Sequence, residues 1–380
     1  MQRKKKKLSV VYIITKLELG GAQKVCLSLF EQLNETDNAY LISGSEGTLV
    51  KKIKNSPKAI LLKNLKNEAK ISGLKNELQN FLNLIKTLRK LKRKHPTLIA
   101  HTHSTKAGIV GRWAAFFAGI KNRVHTVHGF AFHSHQNKIK TLIIWFAEFV
   151  TSFITTHFIC VSSADIKTGS KLFPFFKKRS SIIRAAVEWD KFYKPATTLK
   201  NFENPKCFTF GTVSCFKPQK NLIDLLKAFE LVHQQNSNTQ LELIGDGILR
   251  PELETWITQH NLQHVIKLHG WQDDVSKIMI NWNTFVLSSL WEGLPCAVVE
   301  ARLMKLPVIS YKTGGIHDVI EHNQNGYLFE QKQWVELAKA MLQLSQDNVL
   351  KNKMQNYKED LSSFHDVNML KQHKNLYEKL

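Results

Sequence analysis

The sequence predicts two doubly wound α/β domains, each built on a parallel sheet. Short apolar segments alternate with amphipathic helices through both halves of the chain, which is the pattern of parallel strands joined by helical crossovers. The chain has 380 residues, more than one hydrophobic core usually supports. Its composition, 43% apolar and 22% charged residues, is that of a globular protein and not of a disordered one.

The strands are predicted from β-branched, apolar segments bounded by turn residues. In the first half these are residues 9–15, 39–43, 98–103, 124–129 and 157–162. In the second half they are residues 208–214, 241–247, 266–271, 284–289 and 307–311. We expect the joint near residues 190–205, where prolines, Asn and Thr interrupt the apolar periodicity. The domains are therefore predicted to span residues 1–195 and 205–368, with a ligand bound between them.

One apolar run, residues 141–163, is nearly long enough to span a bilayer. Glu148 and His157 interrupt it, and ionisable groups are costly inside a membrane. We therefore favour a helix of about ten residues followed by a buried strand. The apolar segment 8–14 is too short, and too soon followed by charge, for an export signal.

The formal net charge of +23 favours association with phosphates, whether of nucleic acid, anionic lipid or a nucleotide substrate. The basic residues concentrate in the first half of the chain. Between Glu77 and Lys94, apolar residues recur at helical spacing beside lysines and arginines. This pattern is typical of an interfacial membrane helix, but we favour a helix packed on its sheet for the apolar stripe, and membrane attraction for the charge. The five cysteines lie far apart and are expected to be buried, reduced thiols.

Two glutamates carry the strongest functional signal. Glu292 follows the strand predicted at 284–289 and Glu300 lies in the helix predicted at 296–305, so both carboxylates can face one crevice at the carboxyl end of the strand. Lys217 and Lys220 stand between another strand and a helix, a suitable cradle for a diphosphate or else a solvated basic turn.

Several glycines punctuate the same kind of loop. Gly21 precedes a helix after the first strand, where a ligand can approach a helix amino terminus. Gly245 follows another strand, and Gly314 and Gly315 follow the segment 307–311. The alternative interpretation is that these glycines only form turns and do not contact a ligand.

Pairs of imidazoles that could bind a metal occur at residues 101–103 and 133–135. No carboxylate or cysteine accompanies them at ligand spacing, and no Asp-x-Asp motif occurs. We expect no metal and no cofactor.

Taken in order, these motifs resemble the retaining glycosyltransferases of family 4, which have the GT-B fold of two Rossmann-like domains facing a central cleft. The resemblance covers nearly the whole chain and includes the two glutamates separated by seven residues. It rests on the early glycine pair, TVHGF at 126–130, ICVS at 159–162, PQKN at 218–221, IGDG at 244–247, HGWQDDV at 269–275, EGLPCAVVEA at 292–301 and PVISYKTGGIHDVI at 307–320.

The resemblance implies roles by position. In such enzymes Glu292 would contact hydroxyls of the donor sugar, Glu300 the ribose hydroxyls of the nucleotide, and Lys220 the diphosphate. His128 matches a histidine that reaches the reacting sugar from the first domain, to bind it or to stabilise positive charge. The remaining donor-binding positions are Gly21, Gly245, Gly293, Leu294, Gly314 and Gly315. Many members carry an arginine where this chain has Cys215, so either Lys217 compensates or Lys220 and backbone amides hold the diphosphate alone.

The same resemblance implies a reaction and partners. A sugar would pass from a nucleotide sugar, expected to be a uridine diphosphate (UDP) sugar, to a hydroxyl of a saccharide or lipid-linked saccharide, as in the synthesis of lipopolysaccharide, O-antigen, capsule or exopolysaccharide. The second domain would bind the donor and the first the acceptor, with the last helix (369–380) packed back on the first. The expected location is the cytoplasm, at the inner face of an anionic membrane.

Two rival functions stay open at this point. A sugar-nucleotide epimerase or a phosphorylase can use the same fold, although no cofactor lysine of a phosphorylase is identified. A nucleic-acid-binding protein would explain the charge, but nothing resembles a recognition helix or an RNA-binding motif. We therefore expect no nucleic-acid partner.

Overall fold

The computed structural model describes residues 7–62, 74–132, 136–193 and 207–380. The chain divides into two compact units: a first unit that runs to Ala186 and takes in Asp366–Leu380, and a second unit, Val187–His365. Most of the joint expected at residues 190–205 lies outside the described residues. Its described part belongs to the second unit, since the helix Trp189–Phe192 contacts the helix Cys296–Leu303.

The described part of the first unit holds a seven-stranded sheet in the order β3-β2-β1-β4-β5-β6-β7, and every pair of neighbouring strands is parallel. The strands are β1 (Ser9–Ile13), β2 (Asn38–Gly44), β3 (Ala59–Leu62), β4 (Ile99–His103), β5 (Asn122–Val127), β6 (His157–Cys160) and β7 (Ser180–Ile182). All five residues of β1 are buried, as expected of a central strand covered on both faces.

Seven helices of the first unit are described. They are α1 (Gly21–Thr36), α2 (Val50–Ile53), α3 (Leu74–Lys94), α4 (Thr105–Phe117), α5 (Lys138–Phe153), α6 (Ser163–Leu172) and the last helix of the chain, α14 (Asp366–Lys379). The core lies between the sheet and α3 and α4, where Leu84, Leu88 and Leu91 pack on Val11 and Ile42. The apolar stripe of α3 therefore covers the core, as we favoured, while Leu78 and Leu82 remain exposed.

The second unit has a six-stranded parallel sheet in the order β10-β9-β8-β11-β12-β13. Its strands are β8 (Phe208–Val213), β9 (Thr239–Ile244), β10 (Ile266–Leu268), β11 (Thr284–Leu287), β12 (Val308–Tyr311) and β13 (Gly326–Phe329). Its helices are α7 (Trp189–Phe192), α8 (Leu222–Gln235), α9 (Arg250–Gln259), α10 (Ser276–Met279), α11 (Cys296–Leu303), α12 (Trp334–Gln346) and α13 (Asn348–Gln355). The prediction of two Rossmann-like doubly wound domains is confirmed.

α14 is part of the first unit although it follows the second in the chain. The hydroxyl of Tyr377 lies 2.6 Å from Nδ1 of His101 on β4 and 3.3 Å from the hydroxyl of Tyr12 on β1. One turn earlier in the helix, Nζ of Lys374 lies 3.0 Å from a carboxylate oxygen of Asp37. Buried hydrogen bonds and an ion pair therefore fasten α14 to the centre of the first sheet.

Two expectations need correction. The helix expected to have about ten residues within 141–163 is α5, which has 16 residues, because the side chain of Asn137 caps it by accepting from the backbone N–H groups of Ile139 and Lys140. No helix within the described ranges is both long and apolar enough to cross a membrane. Of the cysteines, only Cys26 and Cys160 are buried, whereas Cys207, Cys215 and Cys296 are partly exposed.

Candidate active site

Lys220 and Glu292 meet at the carboxyl edge of the second sheet. Lys220 ends the 3-10 turn Pro218–Lys220 after β8, and Glu292 lies in the segment between β11 and α11. β8 and β11 are neighbouring parallel strands, so the loops after them lie at the same edge. Nζ of Lys220 lies 2.5 Å from Oε1 of Glu292, and both side chains are largely buried. The structure thus brings together Lys220, predicted to bind the diphosphate, and Glu292, predicted to bind the donor sugar.

Gln219, which the sequence analysis did not single out, braces this pair. Its Nε2 donates to the backbone oxygen of Trp291 over 2.6 Å and lies 3.4 Å from Oε2 of Glu292. Its own backbone oxygen accepts from the N–H of Leu290 over 2.9 Å. The loop after β8 and the segment that carries Glu292 are therefore held together by backbone and side-chain bonds. Gln219 belongs to the motif PQKN, from which only the lysine was predicted to have a role.

Gly314 and Gly315 lie directly against the segment that carries Glu292. Gly314 has φ of +48°, and a β-carbon there would lie 2.1 Å from the backbone oxygen of Glu292 and 2.5 Å from that of Gly293. The N–H of Gly315 donates to the backbone oxygen of Gly293 over 2.6 Å. Both the left-handed backbone and the close approach require glycine at position 314. The glycine pair therefore positions the backbone at Glu292 and Gly293.

Gly245 has a similar relation to the loop after β8. Its φ is +129°, and a β-carbon would lie 1.9 Å from the backbone oxygen of Ser214. The next residue, Asp246, accepts the N–H of Phe216 over 2.9 Å and pairs with Arg250 over 3.1 Å. These contacts hold the loop whose end presents Lys217. The Lys217 side chain is exposed and forms no ion pair with any described residue, whereas Cys215 is partly buried.

Glu300 lies in the middle of α11 and is only 9% exposed. Leu294, two residues before α11, is buried as well. α11 begins after Pro295 without a side-chain cap, so the positive end of the helix faces the segment of Glu292 and Leu294. The pKa of Lys191 is raised, first by its hydrogen bond to Glu188 and further by the negative charges of Asp274 and Glu300. A cation that the sequence analysis missed therefore stands near Glu300.

Hydroxyl groups add to the polarity of this edge. The side-chain oxygens of Ser214, Ser289 and Thr313, which follow β8, β11 and β12, are buried without a hydrogen-bond partner among the described residues. Buried polar atoms usually have a partner, so their clustering at the carboxyl ends of adjacent strands is notable. The edge is therefore polar and not an extension of the core.

The other two predicted site residues, Gly21 and His128, belong to the first unit. Gly21 is the exposed first residue of α1, and no side chain caps this helix. His128 follows β5, and its Nε2 lies 3.0 Å from Nδ1 of buried His103. Burial lowers the pKa of His128 to about 3, helped by the nearby His373, so its imidazole is neutral near pH 7. At neutral pH the ring can therefore form hydrogen bonds but carries no positive charge.

A small cavity of about 40 Å³, large enough to hold a water molecule, opens beside His128. Its lining includes Ser104, His125, Phe132 and Glu148. Among the described residues, no group of three or more His, Cys, Asp and Glu side chains is arranged to hold a metal ion. The imidazoles at 133–135 lie outside the described residues.

Comparison with known proteins matches both halves of the chain. Residues 19–190 match the family described as Glycosyltransferase Family 4, and residues 196–361 match the family described as Glycosyl transferases group 1. The UDP-Gal:alpha-D-GlcNAc-diphosphoundecaprenol alpha-1,3-galactosyltransferase of Escherichia coli is 30% identical over 98% of this chain and 97% of its own length. The capsular polysaccharide biosynthesis glycosyltransferase CapM of Staphylococcus aureus is 22% identical over 76% of this chain and 79% of its own.

Solved structures agree in fold. Anabaena Alr3699/HepE in complex with UDP has a TM-score of 0.80 and 18% sequence identity, covering 98% of this chain and 100% of that chain. The same protein in complex with UDP-glucose also has a TM-score of 0.80, with the same identity and coverage. At this identity the likeness establishes the fold.

Proposed function

Because the chain belongs to the glycosyltransferases of family 4, we propose that it transfers a sugar from a UDP-sugar to a hydroxyl of a lipid-linked saccharide, with retention at the anomeric carbon. The related E. coli enzyme is named for a UDP-galactose donor and a diphosphoundecaprenol-linked acceptor, and it is similar over almost the whole chain. UDP-galactose is therefore the first donor to test. The expected pathway is the synthesis of a bacterial surface polysaccharide.

The contact between Lys220 and Glu292 carries the proposal, because it joins a cation and a carboxylate at the edge where open α/β sheets bind ligands. The Lys220 ammonium would turn to the donor diphosphate, and the Glu292 carboxylate would accept hydroxyls of the donor sugar. Glu300 would accept the ribose hydroxyls, and exposed Lys217 would add positive charge where Cys215 offers none. Backbone groups of Gly293 and Leu294 lie beside the sugar in this arrangement.

The proposed reaction needs no cofactor and no metal. The bond between the anomeric carbon and the β-phosphate oxygen breaks, and the acceptor oxygen bonds to the same face of that carbon. The acceptor proton passes to the departing phosphate oxygen, whose charge Lys220 and the amino end of α11 offset. His128, neutral and bound to His103, would orient the sugar or stabilise positive charge on it.

The acceptor suggests a location. Nucleotide sugars are cytoplasmic metabolites and a polyprenyl diphosphate is anchored in a membrane, so we propose that the enzyme works at the cytoplasmic face of that membrane. The net charge of +23 favours attraction to anionic lipid headgroups.

The test is a transfer assay with radiolabelled UDP-galactose, UDP-glucose and their N-acetyl forms, each with a synthetic lipid diphosphate N-acetylglucosamine acceptor. We expect one donor to give an α-linked product by NMR, at an equal rate with and without EDTA. Glu292→Gln should lower the turnover about 100-fold, as losses of groups that act in the transition state do. Glu336→Gln, which neutralises a partly exposed glutamate of the same unit, should not.

The opposite outcomes are equally clear. Interconversion of the donor without acceptor would replace transfer by epimerisation. A β-linked product would overturn retention, and loss of activity in EDTA, restored by a divalent cation, would overturn metal independence.

A further inference from the structure

One face of α5 is apolar and open to solvent along the whole helix. The side chains that form it are between 36% and 71% exposed. They are Ile139, Leu142, Ile143, Phe146, Val150 and Phe153. Single exposed apolar residues are normal in soluble proteins, but a contiguous apolar patch marks an interaction site. We call these six residues the α5 face.

The register of the helix shows that the α5 face is one continuous stripe. The residues recur at intervals of three and four, so at about 100° per residue they fall within an arc of about 100°. The opposite side of the helix is tied to the protein: Trp113 of α4 donates to Thr151 over 3.0 Å, and Arg112 donates to Glu148 over 2.6 Å. The helix is therefore fixed with its apolar stripe outward.

All the charged side chains that α5 exposes to solvent are positive. Lys138 and Lys140 are exposed, and each projects about 100° from Ile139, one on either side of the stripe. Glu148 is the only acidic residue of the helix, and it is buried against Arg112. An apolar stripe with a lysine on each flank is the arrangement of a helix that lies in a membrane interface, with its ammonium groups among the headgroups.

Exposed aromatic rings also occur at the end of α4, where they adjoin the basic helix α3. Phe116 and Phe117, at the end of α4, are 44% and 50% exposed, and Trp113 packs on both rings. Arg89 of α3 donates to the backbone oxygen of Phe117 over 3.0 Å. Around Arg89, further basic side chains of α3 are exposed, namely Lys86, Lys90, Arg93 and Lys94. Exposed apolar rings of α4 and basic side chains of α3 thus lie side by side.

We propose that the α5 face inserts among the acyl chains at the surface of an anionic phospholipid bilayer, while the exposed lysines and arginines of α3 and α5 contact the headgroups. This inference deepens the proposed function and rests on its lipid-linked acceptor, since it supplies the contact that brings the first unit to that lipid. A bilayer fits better than a second copy of the chain, because α5 has no exposed acidic side chain to receive the lysines of a partner α5. The insertion is in the plane of the membrane and does not span it.

The experiment is sedimentation of the full chain with vesicles of phosphatidylcholine, with or without about one third phosphatidylglycerol, a typical anionic surface. The wild-type protein should bind the anionic vesicles, more weakly at high salt. The double variant Ile143→Glu/Phe146→Glu should bind them at least tenfold more weakly, because it places two charges in the stripe. Ile143→Gln/Phe146→Gln should also weaken binding, which separates loss of insertion from charge repulsion.

Val349→Glu is the matched control, since it places the same charge at an exposed apolar position of the second unit. It should bind vesicles like the wild type. All of these positions are exposed, so the thermal midpoints should agree within a few degrees. Equal vesicle binding by wild type and the double variants would overturn the proposal. It would also be overturned by a wild-type dimer in light scattering that the double variants abolish without any effect on lipid binding.

A second readout separates this inference from the proposed function. Transfer to a short-chain, water-soluble acceptor should be unchanged in the α5 variants, whereas transfer to an acceptor in anionic vesicles should fall with binding. Vesicle binding through the α5 face without any sugar transfer would leave this inference standing and remove the proposed function.

Discussion

At the residue scale, the pairing of Lys220 with Glu292 means that each side chain fixes the other. Neither partner is highly exposed, so removal of one leaves a partly buried charge without its counterion. Ligand binding can replace this ion pair, since a diphosphate can pair with Lys220 while a sugar hydroxyl donates to Glu292. Preorganised groups of this kind bind charge without first having to be ordered.

Lys220→Gln should therefore weaken UDP more than uridine monophosphate. We expect the Kd for UDP to rise roughly 10- to 100-fold, the size of effect for a lost hydrogen bond to a charged group, with a smaller change for the monophosphate. Isothermal titration of both nucleotides measures this. Lys312→Gln, which breaks an exposed ion pair in the same unit, serves as the control. An equal loss for both nucleotides would count against the diphosphate clamp.

The buried histidines of the first unit should make its stability depend on pH. Burial lowers the pKa of His373 to about 4, so its ring is neutral in the folded state. Because this value lies below the unfolded value of about 6.5, the stabilisation is fully present above pH 6.5 and is lost as the pH falls towards 4. His101, His103, His125 and His128 shift in the same direction, chiefly through burial.

We expect the thermal midpoint of the wild type to decrease as the pH is lowered from 7.5 to 5.5. The decrease should be less steep in His373→Gln, because this variant takes up one proton fewer on unfolding. Calorimetry over this range is the measurement. His317→Gln is the control, since His317 is exposed. Parallel curves for wild type and His373→Gln would contradict the assignment of a neutral, buried His373.

At the scale of elements, the glycine pair after β12 determines where the segment of Glu292 lies. Gly314→Ala should displace this segment, because the new β-carbon meets two backbone oxygens and the φ of +48° disfavours alanine. We expect a loss of about 1–3 kcal/mol in stability and a reduced response to UDP, by thermal shift. Gly315→Ala has an allowed φ of −84° and should be milder. A Gly314→Ala protein with wild-type stability would show that the loop adapts.

The attachment of α14 can be tested at a single hydroxyl. Tyr377→Phe leaves His101 Nδ1 and the Tyr12 hydroxyl without this partner inside the first unit. Loss of a buried hydrogen bond costs about 1–3 kcal/mol, so the unfolding free energy should fall by about that amount in urea titrations. Tyr193→Phe is the control, because the Tyr193 side chain is 47% exposed. Equal stability of the two variants would argue against a tight attachment of α14.

The sequence predicted the inner strands better than the outer ones, for a physical reason. β1, β4 and β11 are buried at every position, and β5 and β8 at most positions, so their segments are rich in the apolar and β-branched residues that predict a strand. Of the four edge strands, β10 was predicted, whereas β3, β7 and β13 were not; these three are only three or four residues long and partly exposed, so their residues lack that pattern. The exposure of the α5 face was equally hidden, because an apolar stripe on a helix is the same whether the protein or a lipid covers it.

The candidate site was predictable where a motif places a residue next to a strand end, as for Glu292, Lys220 and Gly314. It was not predictable where partners come from distant parts of the chain. Lys191 is separated from Glu300 by more than a hundred residues, and no local spacing indicates their proximity. The pairing of His103 with His128 likewise depends on the neighbouring positions of β4 and β5.

At the scale of the whole molecule, the charge of +23 does not decide the ligand, because nucleotide, lipid and nucleic acid all carry phosphate. Selectivity does. UDP at about one hundred times its Kd should stabilise the native protein by about 2.7 kcal/mol and raise the thermal midpoint, and Glu300→Gln should lose most of this response.

A short DNA duplex and an RNA hairpin are the controls for charge alone. Their effect should be small at about 0.15 M salt and should vanish as the salt is raised, since contacts to phosphates alone weaken steeply with salt. A sequence-selective response to either nucleic acid, with none to UDP, would replace the proposed donor by a nucleic-acid ligand.

The position of α14 also bears on biosynthesis. A ribosome must complete Val187–His365 before it makes the helix that covers His101 and Tyr12. The nascent first unit therefore emerges with its central strands uncovered at that place and can finish folding only after α14 has been made, while the second unit can complete its own core earlier. During this interval the exposed surface is a natural target for ribosome-associated chaperones, and a stall just before α14 is made would release a chain whose second unit is folded and whose first unit is not.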